Sequence, residues 1–258
     1  MKLALSIAGL DPSAGAGMLA DVKTFSTFGV YGMGVATALT AQNSRGVDIS
    51  HPLNPGIVIR QLEAIFADFD LSAIKIGMLG SRSVAIAVGR FLRDINFEKP
   101  IVLDPILTSS SGATLLDPVA LNAMIREILP IAEVVTPNLR EASVLAEVPV
   151  KGEKDMYEAA KAIHEMGPKA VLITGGHLKE RAMDLLFDGE EFFELASKKV
   201  GKEIHGTGCH LSAAIAANMA AGMTLYEAVR GAKAYIDELF SRWIFRPGSG
   251  QGYFLDHR

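Results

Sequence analysis

The stretch Lys2-Leu3-Ala4-Leu5-Ser6-Ile7-Ala8, followed by Gly9-Leu10-Asp11-Pro12-Ser13-Ala14-Gly15-Ala16-Gly17, sets the pattern of the chain. An apolar run of strand length meets a loop of small residues, and a helical pattern opens behind it. A strand that is apolar almost without interruption is one covered on both faces, as in a parallel sheet. The unit recurs. Apolar runs at 2–8, 33–40, 73–76, 101–103, 133–136 and 170–174 read as strands. Helical patterns fall between them, at about 15–28, 55–67, 82–94, 117–128, 139–146 and 154–166. Ile57, Gln61, Leu62 and Ile65 share one helical face, as do Ala159, Ala162 and Ile163. Alternation of this kind predicts βαβ units, and right-handed crossovers place the helices on both sides of the sheet.

After Gly175-Gly176 the pattern changes. Two apolar runs, 183–187 and 192–196, flank Asp188-Gly189, a strong signal for a tight hairpin. The sheet is therefore expected to end in antiparallel strands. Helices at about 209–221 and 225–240 close the chain. No linker, repeat or low-complexity tract interrupts it, so residues 1–258 are read as one domain. The expected fold class is α/β: a three-layer sandwich with a mostly parallel central sheet, helices on both faces and antiparallel edge strands.

Bulk properties narrow the function. Among the 258 residues 49% are hydrophobic, and no run approaches the ~18–20 apolar residues of a spanning helix. The net charge is −4 and the chain carries no basic stripe, which argues against a nucleic-acid binder. A single cysteine excludes an internal disulfide framework. The short apolar start with one lysine reads as a buried first strand rather than a secretion signal, so a cytoplasmic location is expected.

Gly206-Thr207-Gly208-Cys209 lies directly before the small-residue run 211–217. Glycines let a backbone turn expose its N–H groups, and a helix start adds unpaired donors and partial positive charge. The combination is an anion site, suited to charge on a transferred phosphoryl group. Its bland counterpart is a Gly-rich N-cap. Cys209, in the first turn, is expected to have a lowered pKa. The loop 9–17 lacks the third glycine of a dinucleotide fingerprint and contains Asp11-Pro12, so it reads instead as a loop that admits a ligand.

Asp104-Pro105 and Thr136-Pro137-Asn138-Leu139-Arg140-Glu141 end strands at the carboxyl edge of the sheet, where ligands of open α/β folds gather. Asp104, Asn138 and Glu141 supply hard oxygen atoms suited to Mg²⁺ on phosphates, and Asn138 with Glu141 equally reads as a capping box. Gln42, ending the second strand, offers an amide to a heterocycle. His51, His164 and His177 lack metal-ligand spacing. The Ser109-Ser110-Ser111-Gly112 stretch is not a nucleophile elbow, and no P-loop motif is present.

Eight ordered blocks carry a family resemblance. They are Ser6-Ile7-Ala8-Gly9 through Gly15-Ala16-Gly17, Ala20-Asp21-Val22-Lys23-Thr24-Phe25, Leu39-Thr40-Ala41-Gln42-Asn43, Lys75-Ile76-Gly77-Met78-Leu79, Val102-Leu103-Asp104-Pro105, Val135 through Glu141, Gly175-Gly176-His177-Leu178 and His205 through Cys209. Together they resemble the hydroxymethylpyrimidine/phosphomethylpyrimidine kinases of thiamine biosynthesis, in the ribokinase-like superfamily. The resemblance implies an ATP- and Mg²⁺-dependent kinase acting on 4-amino-5-hydroxymethyl-2-methylpyrimidine, and then on its monophosphate. It implies a substrate pocket of Gln42, Gly9, Asp21, Met78 and Ile106. It implies Asn138, Glu141, Thr174 and Gly176 on the nucleotide phosphates, Asp104 and Glu141 on Mg²⁺, and catalysis at Gly206, Thr207, Gly208 and Cys209. Cys209 would stand where sugar kinases of the superfamily have an Asp base. A homodimer is implied as well.

The chain departs from the family pattern at particular positions. Thr174 and Ser110 stand where lysines are usual, Leu10 replaces a common Ser, Ala14 a common Gly, and His210 a Thr. Loss of two cations weighs on the second phosphorylation, whose substrate is already anionic; His210, Lys198, Lys199 and Lys202 are the candidates to compensate. The competing expectations are a pyridoxal-type vitamin kinase, whose substrate is also a hydroxymethyl heteroaromatic, and a non-catalytic pyrimidine- or nucleotide-binding protein.

Overall fold

The computed structural model describes residues 1–108, 118–176, 182–197, 204–242, 244–250 and 253–255. Ser109 to Gly112, His177, Leu178, Lys198, Lys199 and Lys202 lie outside them, so expectations resting on those residues go no further. In chain order the elements are β1 (Leu3–Leu10), α1 (Gly17–Thr27), β2 (Tyr31–Asn43), β3 (Gly46–Pro52), α2 (Pro55–Phe66), β4 (Ala73–Ile76), α3 (Arg82–Asp94) and β5 (Ile101–Leu103). Then follow α4 (Pro118–Glu127), a 3₁₀ turn (Leu129–Ile131), β6 (Val134–Val135), α5 (Leu139–Leu145), α6 (Glu153–His164) and β7 (Val171–Ile173). The chain closes with β8 (Ala182–Phe187), β9 (Phe192–Ser197), α7 (Thr207–Ala220), α8 (Leu225–Arg242), β10 (Ile244–Phe245) and β11 (Phe254–Leu255).

The nine-stranded sheet has the order β3-β2-β1-β4-β5-β6-β7-β8-β9. Strands β2, β1, β4, β5, β6 and β7 run parallel, and the edges β3, β8 and β9 are antiparallel. The predicted hairpin is β8–β9. The opposite edge holds a second one, β2–β3, which the sequence reading does not contain. Its turn, Ser44-Arg45, lacks the usual Asn-Gly or Asp-Gly pair, and β3 has no buried residue, with Asp48, Ile49 and His51 exposed.

Two apolar layers flank the sheet. Leu5, Ile7, Ile74, Ile76 and Leu103 pack with α2 to α6 on one face. Ala4, Ala73, Val102, Val134 and Leu172 pack with α1, α7 and α8 on the other. Helix α7 is buried around almost its whole circumference. Its alanines let it lie close to the sheet, and this brings its amino end up against the strand ends. The strand order reverses between β1 and β4, a switch point of the kind where α/β sheets open a crevice.

Candidate active site

The turn before α7 is shaped by steric necessity. Gly206 is the N-cap in left-handed conformation, with φ 77°. A Cβ there would stand 1.9 Å from the Gly15 carbonyl oxygen, so the loop 9–17 lies directly across the turn. Gly208 is the opposite case: among the described residues a Cβ would meet nothing within 4 Å, and the same holds for Gly176 after β7. The two positions face open space at the same carboxyl edge of the sheet, room for a ligand to approach backbone N–H groups. Cys209 is buried in the first turn of α7.

Under that turn lies a dry ionic cluster. Lys75 of β4 is 0% exposed, Asp21 of α1 0% and Asp104 after β5 5%. Lys75 Nζ is 3.0 Å from each Asp21 carboxylate oxygen and 3.7 Å from Asp104 Oδ2. Ser6 Oγ donates to Asp21 Oδ2 at 2.6 Å, and Ser212 Oγ of α7 lies 3.1 Å from Asp104 Oδ2. Burial raises the pKa of both carboxyls and outweighs the attraction of Lys75. Burial alone would lower the Lys75 pKa, but Asp21, Cys209 and Asp104 outweigh it and raise it. All three groups shift up, the direction set by a buried cluster with more negative than positive charge.

This cluster bears on two expectations. Asp21, expected in the substrate pocket, is fully buried, with both its oxygens bonded to Lys75 and one also to Ser6. The Cys209 thiol is not acidified by the helix start; burial pushes it up to about 12, against the pull of Lys75. Desolvation dominates here because the first turn of α7 is packed beneath loop 9–17 rather than open to water. Lys75 itself was legible only as part of a motif. A lysine inside the otherwise apolar strand Ala73-Ile74-Lys75-Ile76 demands a buried carboxylate, and that demand was the available signal.

Further along the edge, Asn138 caps α5. Its Oδ1 accepts from the Arg140 and Glu141 N–H groups at 2.9 and 3.0 Å, and Glu141 Oε2 accepts from Asn138 N at 3.0 Å. The capping box is therefore real. It also holds the Glu141 carboxyl buried within reach of the Asp104 charge; burial first, then Asp104, pushes its pKa up to about 8. Thr174 bridges to Asn138, its N–H donating to Pro137 O at 2.9 Å. Gly175 N donates to Asp184 Oδ1 at 2.9 Å, and Lys233 of α8 pairs with the same carboxylate. The turn carrying Gly176 is thus braced from below.

The remaining expected residues gather beside β1. A Cβ on Gly9 would stand 3.0 Å from Met78 Sδ, and Ile106 lies against Gly77. Gln42 reaches Asp11 Oδ2 at 3.2 Å and His205 Nε2 at 3.0 Å. The meeting of Asp11 and His205 at Gln42 was not legible in the sequence, where His205 reads only as a flank of the 206–209 turn, because residues 11, 42 and 205 meet only in the folded chain. His210 is fully buried, and its Nδ1 lies 2.7 Å from Gly206 O in its own helix, which turns it away from any role as a surface cation.

Comparison with known proteins places the chain among relatives. Residues 11–254 match the family described as phosphomethylpyrimidine kinase. A hydroxymethylpyrimidine/phosphomethylpyrimidine kinase of Rhizobium meliloti is 48% identical over 93% of this chain and 90% of that protein. The crystal structure of phosphomethylpyrimidine kinase from Clostridium difficile superposes with a TM-score of 0.84 at 40% identity, over 92% of this chain and 99% of that one. The ADP complex of Bacillus subtilis pyridoxal kinase superposes with a TM-score of 0.90 at 35% identity, over 100% and 97%.

Proposed function

The chain belongs to the phosphomethylpyrimidine kinase family, and from that premise we propose that it transfers the ATP γ-phosphoryl group to the hydroxymethyl group of 4-amino-5-hydroxymethyl-2-methylpyrimidine in thiamine biosynthesis. The observation that carries the reading is the open backbone at Gly208, in the first turn of a buried helix, with a second open glycine, Gly176, after β7. Phosphoryl transfer asks a protein mainly for position and charge neutralisation, and a helix start at a strand edge supplies both.

The roles divide along the edge. Gly206, Thr207 and Gly208 bind the transferred group through backbone N–H donors. Gly9, Met78, Ile106 and Gln42 form the pyrimidine pocket. Asn138, Glu141, Thr174 and Gly176 lie along the nucleotide phosphates. Asp104 and Glu141 would hold a divalent cation: both are buried carboxyls, and the Asp104 charge helps to raise the Glu141 pKa, a repulsion that a cation would relieve. Mg²⁺ bound there supplies charge neutralisation to the phosphates.

A thiol with a pKa near 12 is neutral at physiological pH. Cys209 therefore orients the substrate hydroxyl by hydrogen bonding rather than waiting as a thiolate base. Cys209→Ala is expected to lower kcat by about 10²-fold, the scale of a misplaced reacting group, and to leave pyrimidine binding within a few-fold, read from steady-state kinetics and equilibrium titration. Near-normal turnover removes Cys209 from the chemistry.

Pyridoxal phosphorylation is the second reading, favoured by the 0.90 TM-score to a pyridoxal kinase. The backbone serves both substrates, so side chains around Gln42 decide. ADP release with ATP-Mg²⁺ and, separately, the pyrimidine alcohol, its monophosphate and pyridoxal tests the proposal. Release with the pyrimidine alcohol supports it, and silence with all three points to a binding protein. The protein is proposed to act in the cytoplasm as a single-domain protomer of a homodimer.

A further inference from the structure

Three segments far apart in sequence converge on one carboxylate. Asp11, just past β1, is 4% exposed. Its Oδ1 accepts from Ser13 N at 2.8 Å and Ser13 Oγ at 2.7 Å. Its Oδ2 accepts from Ala16 N at 3.0 Å and Gln42 Nε2 at 3.2 Å, and lies 3.1 Å from His205 Nε2. The His205 ring is held in turn against Phe254, with centroids 5.2 Å apart, and its backbone N–H donates to Tyr253 O at 2.8 Å. Strand β11 thus helps to fix this corner.

An amide can present nitrogen or oxygen to a neighbour, and its neighbours decide which. Burial works against ionisation of Asp11, yet the hydrogen bonds it accepts, Ser13's among them, hold its carboxyl below the usual value. An ionised carboxylate only accepts. The Gln42 atom 3.2 Å from it is therefore the nitrogen, since an amide oxygen there would set one acceptor against another. The Gln42 oxygen then points away from Asp11. Thr40 Oγ1 stands 3.3 Å from that oxygen, but it also lies 3.0 Å from Leu10 O, and its one hydrogen goes to the nearer acceptor. Gln42 is left presenting an acceptor.

We propose that Asp11 is a positioning residue for specificity: by holding the Gln42 amide nitrogen it fixes the amide oxygen as an acceptor, so the site takes an amino-substituted heterocycle and rejects its oxo counterpart. This rests on the pyrimidine-kinase reading above. An exocyclic amine donates to the fixed oxygen. An oxo group in its place would oppose oxygen to oxygen, and the amide cannot rotate to relieve this without turning its own oxygen toward Asp11. Rejection by an unpaired or opposed polar group is a stronger discriminator than shape alone.

The test compares 4-amino-5-hydroxymethyl-2-methylpyrimidine with its 4-oxo analogue, using the full chain and Asp11→Asn. Wild type is expected to favour the amine by about 100-fold or more in kcat/KM. Asp11→Asn offers Gln42 either a donor or an acceptor, and is expected to cut that ratio by about tenfold or more, mostly through KM for the amine. A variant that loses activity on both substrates equally, with the ratio intact, means that Asp11 only braces loop 9–17 and overturns the proposal. Wild type inert toward both pyrimidines overturns the kinase reading itself. A measurement on wild type stands apart from folding of the variant and from activity: the Gln42 side-chain amide signal in a ¹H–¹⁵N spectrum, assigned by its loss in Gln42→Met. Protection of its hydrogens from solvent exchange is expected; a freely rotating, rapidly exchanging amide contradicts the proposal.

Discussion

The Lys75 cluster and the Asp11 corner lie along the same edge of the sheet and are held in different ways. Lys75, Asp21 and Asp104 are sealed from water, and their arrangement follows from the cost of leaving any one of them unpaired. Asp11, Gln42 and His205 are joined by hydrogen bonds between loops, at a surface where Gln42 is half-buried. The difference separates two tasks. The dry cluster ties α7 to the strand ends through the Ser212–Asp104 hydrogen bond, beneath the turn proposed to hold the phosphoryl group. The loop corner is the part proposed to choose the substrate.

Removing the central cation breaks the first half most severely. Lys75→Met strands two buried carboxylates and is expected to cost about 3–5 kcal/mol in urea unfolding. A loss below about 1 kcal/mol contradicts the cluster's role. A paired glycine experiment sharpens the boundary between fold and function. Gly206→Ala forces a Cβ toward Gly15 O and a left-handed alanine, for an expected loss of about 2–3 kcal/mol. Gly208→Ala meets no atom of the described residues within 4 Å, so stability is expected to stay within about 1 kcal/mol while turnover falls at least tenfold. Equal turnover in Gly208→Ala and wild type removes the phosphoryl group from that turn.

The Glu141 carboxyl gives a pH signature. Its folded pKa of about 8 lies above the ordinary value of 4.5. A raised carboxyl favours the folded state when protonated, so its contribution is complete below about pH 4.5 and is lost as pH rises through about 8. In metal-free buffer Glu141→Gln is expected to flatten that decline, read as unfolding free energy against pH. An unchanged slope contradicts the assignment. The smallest effect is expected from Thr174→Lys, which adds a cation beside Asn138. It should raise use of the monophosphate by ~2–5-fold over use of the alcohol, the size of a partly solvated charge interaction. Equal gains on both substrates contradict a phosphate role at that position.

Local pattern carried much of this architecture. Strands 73–76 and 101–103 and helix 82–94 fall on their predicted bounds, because burial on both faces and the Ser81 cap leave local signals. The turn at Gly206 was equally legible, since glycines before a small-residue helix are a local feature. Hairpin β2–β3 was not, for want of a turn signature. Nor was the partnership of Asp21 with Lys75, because a carboxylate on a helix reads the same whether it faces a ligand or a lysine 54 residues away. The expected acidity of Cys209 failed for the same reason: a helix start is visible in sequence, and the loop that packs over it is not.

The most direct test of the account is a competition. Equal concentrations of 4-amino-5-hydroxymethyl-2-methylpyrimidine and pyridoxal are incubated with the protein and limiting ATP-Mg²⁺, and the phosphorylated products are separated by mass. The account predicts the pyrimidine phosphate in large excess; a predominance of pyridoxal phosphate, or no phosphorylated product at all, would contradict it.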